Sequence, residues 1–183
     1  LSGSGGFGTL LLDPYNITIS NSTASNSSGT SATGNDSVIN VTTLATALSA
    51  ANVTVTTGAA DSAGSQAGNI TVADAVSWTS GSTLTMSAYG TIAVNANLTG
   101  GSGSSIVLRA DNSGTGIGTV TFGTGVKATA SSGVSIYYNP TGNDNTSVTG
   151  TGHTSPNNSP ANTGVGTDIT ASMLINSVYD LQN

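Results

Sequence analysis

A chain of 183 residues is long enough to bury a sizeable core, yet only 5% of it is charged, glutamate is absent, and the only cations are Arg109 and Lys127. An ordinary soluble domain is about one-quarter charged, so the solvent-facing polarity here has to come from Ser, Thr and Asn. Eight Asp against two cations give a net charge of -6, which excludes the basic footprint that nucleic acid or an anionic membrane surface requires.

The chain opens at Leu1 without a methionine and is read as an excerpt or a processed product, with any targeting signal out of view. Gly3-Ser4-Gly5-Gly6-Phe7-Gly8 formally matches a dinucleotide-binding glycine pattern. No strand precedes it and no helix is expected after it, so it reads as a flexible end and no cofactor is expected. Leu10 to Leu12 is too short for the apolar part of a signal peptide, and no run approaches a membrane span, so membrane insertion is not expected. Residues 21–37, rich in Ser, Asn and Gly, read as a loop or loosely ordered insertion. Within Asp36 to Ser49, Leu44 and Leu48 stand four apart and predict a short helical turn before a strand at Val53 to Val55.

From there alternation takes over. Ile70 to Val72, Leu84 to Ala88, Ile92 to Leu98, Ile106 to Ala110, Val120 to Phe122 and Val134 to Tyr138 place an apolar residue at every second position, the pattern of strands with one buried face. Ile92 follows Ile70 at the same interval as Ile106 follows Leu84, and the pair Leu84/Ile92 is matched by Val126/Val134 after nearly twice that interval. The implied period of about 21–22 residues is a solenoid signature, because a repeat that cannot cover its own apolar face must stack on a neighbour. Gly and Ser clusters at Ser80 to Ser82, Gly100 to Ser105, Gly114 to Gly118, Gly123 to Gly125 and Ser131 to Gly133 mark the corners. A second loose segment is expected over 142–166.

The pattern therefore predicts an all-β chain: one right-handed parallel β-helix (solenoid) over 1–183, belonging to a larger repetitive protein, with about eight or nine coils at about 4.8 Å each. The competing architecture is an antiparallel β-sandwich or jelly roll. It is disfavoured by the scarcity of aromatics and the lack of any Asn-Gly or Asp-Gly turn.

At this point the residues resemble a known family. Leu10-Leu11-Leu12-Asp13-Pro14-Tyr15-Asn16-Ile17-Thr18-Ile19, Asn69-Ile70-Thr71-Val72, Leu84-Thr85-Met86-Ser87-Ala88-Tyr89, Leu108-Arg109-Ala110-Asp111-Asn112, Gly118-Thr119-Val120-Thr121-Phe122 and Ile136-Tyr137-Tyr138-Asn139-Pro140 look like the recurring module of filamentous-haemagglutinin-type adhesins. The closing Met173 to Asn183 looks like the link into a following module. The resemblance implies a right-handed parallel β-helix exported by two-partner secretion and displayed as a fibre at the bacterial surface. It brings no catalytic residue with it.

Chemistry is sparse in the residues themselves. Cysteine is absent, which removes disulfides, thiolate metal sites and cysteine nucleophiles. His153 is the single histidine, with no acid nearby to orient it, and the aspartates are scattered from Asp13 to Asp180. A β-helix polysaccharide lyase or hydrolase would need several acids and cations to converge, so no enzyme and no metal site is expected. Asn143-Asp144-Asn145 and Asp111-Asn112 follow no calcium-loop pattern and read as turns.

Arg109 and Asp111 share the outward parity of a strand whose Ile106, Leu108 and Ala110 point inward. Trp78, Tyr89 and Tyr137 are the aromatics expected outward, as candidate contact residues for glycan or for a neighbouring copy, whereas Phe122 and Tyr138 share core parity. Asn-x-Thr triplets at Asn16, Asn40, Asn52, Asn69 and Asn97 are read as products of composition. Three functions of different class follow: a fibre shaft pairing with itself end to end, a glycan-binding segment, and a polysaccharide-cleaving enzyme.

Overall fold

Alternation of apolar and polar residues becomes a set of short parallel strands. A computed structural model describes residues 15–58, 66–112, 118–138 and 169–173 of the chain. In chain order these form β1 (Ile17–Ser20), β2 (Ser27–Ser28), β3 (Ser31–Ala32), β4 (Ser37–Asn40), α1 (Val41–Ala50), β5 (Val53–Thr56), β6 (Ile70–Val72), β7 (Val76–Trp78) and β8 (Thr83–Ser87). They continue with β9 (Ile92–Val94), β10 (Leu98–Gly100), β11 (Ser105–Arg109), β12 (Val120–Phe122), β13 (Ala128–Thr129), β14 (Val134–Tyr138) and β15 (Ile169–Met173).

Three parallel sheets result, with orders β12-β9-β6-β1-β4, β13-β10-β7 and β15-β14-β11-β8-β5. They are called the first, second and third sheets below. The triplets β6-β7-β8, β9-β10-β11 and β12-β13-β14 visit them in the same sequence, and each strand pairs in parallel with its counterpart in the next triplet. Antiparallel pairing among the described residues is confined to the small β2–β3 hairpin and a Ser25–Val38 bridge. The sheets are thus parallel and stacked, and the antiparallel sandwich is set aside.

Register makes the core. Ile17, Ile70, Ile92 and Val120 form one column of paired positions, and Leu84, Ile106 and Val134 another, all at most 2% exposed. Each such side chain gains about 1.5–3 kcal/mol relative to remaining in water. The intervening residues Thr18, Thr71, Thr85, Ser77 and Thr99 lie on the outer faces, half-buried or exposed.

Several expectations are corrected by this register. The interval from Ile70 to Ile92 is one level of the stack, as expected, but the next level, from Ile92 to Val120, takes a longer stretch of chain. Val134 stacks on Ile106 and Leu84, so Val126/Val134 is not the image of Leu84/Ile92; Val126 lies outside the strands and packs half-buried against the core. The stretch Ile92 to Leu98 is two strands in different sheets, because Asn95 to Asn97 turns a corner between them. Six strand levels are seen among the described residues, from β4 at one end to β15 at the other, which spans about 24 Å at the usual strand spacing.

Residues 21–37 are not merely loose. Gly29 at φ 59 opens a two-residue turn between Ser28 and Ser31, where Thr30 keeps a negative φ, and the hairpin so formed folds back on β4. Residues 142–166 lie outside the described residues.

The expected helical turn is a ten-residue helix preceded by its own strand, β4. Asn40 is its N-cap: Oδ1 accepts the Thr42 N–H at 2.8 Å, while Nδ2 donates to the Ser22 and Asn21 carbonyls. Val41, Leu44 and Leu48 are its buried face. Because one amide both caps the helix and ties it to the preceding loop, Asn40→Ala is expected to cost about 1–2 kcal/mol in urea unfolding. Asp at this position should restore the cap but not the two ties.

Candidate functional surface

The residues that recur at strand starts do a shared job. Asn69 donates its N–H to Asn16 Oδ1 at 3.0 Å, and Thr91 donates its N–H to Asn69 Oδ1 at 2.8 Å. Thr119 continues the series on Thr91 Oγ1 at 3.4 Å. These four residues immediately precede Ile17, Ile70, Ile92 and Val120, so one side-chain oxygen per level receives the backbone of the level above. The other two corners repeat the device: Thr83 N–H donates to Asn52 Oδ1 and Lys127 N–H to Asn97 Oδ1, both at 2.8 Å.

That geometry explains the Asn-x-Thr triplets. In four of the five, Asn16, Asn52, Asn69 and Asn97, the corner amide is followed by an inward apolar residue and then an outward Thr; in the fifth, Asn40 caps α1. The triplet is written by the corner. The signal was present in the sequence as an Asn placed directly before the first inward residue of β1, β5, β6 and β10, and it was missed because it coincides with a modification motif. Asn69→Ala, which leaves the Thr91 N–H without its acceptor, is expected to cost about 1–3 kcal/mol. Asn69→Asp keeps the oxygen and should recover most of that loss in the same denaturation series.

The three candidate aromatics are not gathered into one patch. Trp78, expected outward, points inward and is 4% exposed: it lies two residues after the buried Val76 on the same face of β7, and its indole N–H donates to the Ser82 carbonyl at 3.0 Å. Tyr89 is half-buried at the corner after β8, its backbone N–H donating to Thr57 Oγ1. Tyr137 is half-buried on the outer face of the third sheet, in register with the exposed Arg109. Phe122 is half-buried against the core, and the side chain of Tyr138 lies outside the described residues.

Asp111 also departs from expectation. β11 ends at Arg109, alternation breaks at the turn, and Asp111 adopts φ 49 with its side chain fully buried instead of standing outward beside Arg109. Its N–H donates to the Gly90 carbonyl at 3.0 Å. The other described aspartates act locally: Asp74 Oδ2 accepts the Asn21 N–H and Asp36 Oδ1 accepts Gln66 Nε2. Gly3 to Gly8, His153 and Asn143-Asp144-Asn145 lie outside the described residues. Among the described residues no three His, Cys, Asp or Glu side chains come together.

Two concavities flank the end of the stack at β4 and β5. One, about 430 Å³, runs between α1 and β7 and is lined by Thr42, Thr46, Ser49, Ser77, Trp78 and Thr79 among others. The second, about 170 Å³, lies between β3 and β5. Neither lining includes a charged side chain. No helix among the described residues is long and apolar enough to cross a membrane. No family model, curated protein or solved structure matches the chain.

Proposed function

We propose that the chain is a structural shaft module of a large secreted bacterial surface adhesin, folded as a right-handed parallel β-helix. The observation that carries this reading is the common register: three sheets advance together from β6-β7-β8 to β12-β13-β14, with a corner side chain bonding successive levels. A crossover between parallel strands is right-handed in nearly all known cases, which supplies the handedness. Secretion to the cell surface rests on the sequence resemblance.

A shaft works by being long, hydrated and resistant to shearing. Columns of Ile, Leu and Val hold the interior, and outer rows such as Thr18-Thr71 and Ser77-Thr99 hydrate the surface with few charges for salt to screen. Its partners on this reading are neighbouring modules or copies. A second reading, a glycan-binding segment, is favoured by Tyr137 and Arg109 sharing one outer column, since a flat ring beside a guanidinium suits a sugar.

Solution scattering combined with a glycan array separates these. A shaft gives an elongated scattering profile and no glycan retention. Retention that Tyr137→Ala abolishes would instead assign the chain to recognition, and release of reducing ends from a polysaccharide panel would overturn both.

A further inference from the structure

We infer that residues 15–52 plug one end of the stack, so that a second copy of this chain cannot add strands there unless α1 is displaced. The inference stands on sheet order and hydrogen-bond direction, and holds whether or not the chain is an adhesin shaft.

The end in question carries β4, β7 and β5 as the terminal strands of the three sheets. In a parallel strand the N–H and C=O of alternate residues point to opposite sides, so a terminal strand presents every second residue as an unpaired edge. On β4, Ser37 donates to the Asn16 carbonyl beside β1, which leaves Val38 facing out. Val38 is closed by an antiparallel bridge: it exchanges both backbone bonds with Ser25, at 2.8 and 3.2 Å, and Ser27 Oγ also donates to its carbonyl. That edge is sealed.

On β7, the Val76 N–H bonds the Asn97 carbonyl of the adjacent level, so the Ser77 N–H and C=O point the other way. α1 stands over the place where the next strand would pair, across the larger concavity. Leu44 and Leu48 of the helix are fully buried in the common core, and Ser80 Oγ donates to the Leu48 carbonyl at 2.6 Å, pinning the last turn. No backbone hydrogen bond joins α1 to β7 among the described residues. On β5, Thr57 bonds the Ser87 carbonyl, so Thr54 and Thr56 face outward, and the β2–β3 hairpin stands over them across the smaller cavity. Two edges are therefore screened without being paired.

The path of the chain shows the same thing. Every later triplet advances one level, but β4 follows β1 in sequence and lies beyond it in the sheet, away from β6. The chain steps backward once, occupies the outermost place, and returns through α1 to β5. A helix laid over a strand edge is a known way of preventing edge-to-edge association, and stacked repeats need such an end for solubility. One end is thus screened, and copies meeting end to end cannot pair strands through it.

The test is sedimentation velocity over a concentration series on the full chain. Leu44→Ser with Leu48→Ser should detach α1 and raise the oligomer fraction at least tenfold over the unaltered chain, with the strand signal in circular dichroism kept. Adding Ser77→Pro, which deletes the outward N–H that a new strand would need, should return that fraction to the starting level. Oligomers indifferent to Ser77→Pro would reveal association through exposed apolar surface and overturn strand exclusion, as would a folded double variant that stays at the starting level. Should the double variant lose its strand signal, Ser80→Ala removes only the pin; faster hydrogen exchange in α1 together with increased association supports the plug, and faster exchange without association overturns it.

Discussion

Gly90→Val is expected to destabilise the chain by about 3 kcal/mol or more. A Cβ built at Gly90 collides with Asn69 Oδ1 and comes within 2.5 Å of the Ala67 carbonyl oxygen. Neither neighbour can retreat at low cost: the carbonyl is backbone, and Asn69 Oδ1 is already accepting the Thr91 N–H. The Gly90 N–H donates to the Gly68 carbonyl and its own carbonyl accepts the Asp111 N–H, so moving this residue disturbs the levels on both sides. A Cβ on Gly118 would approach the Gly90 carbonyl oxygen to 2.5 Å, so the crowding repeats one level on. Urea unfolding of Gly90→Ala and Gly90→Val reads the effect as a graded fall in midpoint. A variant with unchanged midpoint would show that this corner opens at no cost.

Ile70→Ala is expected to cost about 2–5 kcal/mol, against less than about 0.5 kcal/mol for Thr71→Ala one residue away. Ile70 is fully buried between Ile17 and Ile92 in its column, so truncation leaves a cavity whose walls are held by strands on either side. Thr71 is half-buried on the outer face between Thr18 and Ala93 and loses only partial contacts. The contrast between the two measures the inward and outward assignment directly. Equal losses would contradict the register of the first sheet.

Alternation was legible because it is a local property. Ile70-Thr71-Val72 and Leu84-Thr85-Met86 carry their inside and outside in their own side chains, and the structure places those residues accordingly. Leu44 and Leu48 announced α1 in the same way, since residues four apart meet on one face of a helix. Trp78 was misjudged by its nearness to a Ser/Gly corner, although its parity with Val76 already placed it inside. The corner amides were legible as a pattern but read as composition.

Asp111 and the break at Asn95 to Asn97 were not legible. Both depend on where a strand stops, and that is decided by which backbone lies next to it.

The sequence by itself determined that this chain is built of short strands with one aliphatic face, joined at Gly-, Ser- and Asn-rich corners, with little charge available for chemistry. Only the tertiary structure decided which strands are neighbours: that Val134 follows Ile106, that β4 lies outside β1, and that α1 stands against β7. The reason is physical. Facing is fixed by the side chain of each residue, whereas pairing is made by backbone N–H and C=O groups that every residue but proline carries alike, so partners are selected only when distant segments are brought together and packed.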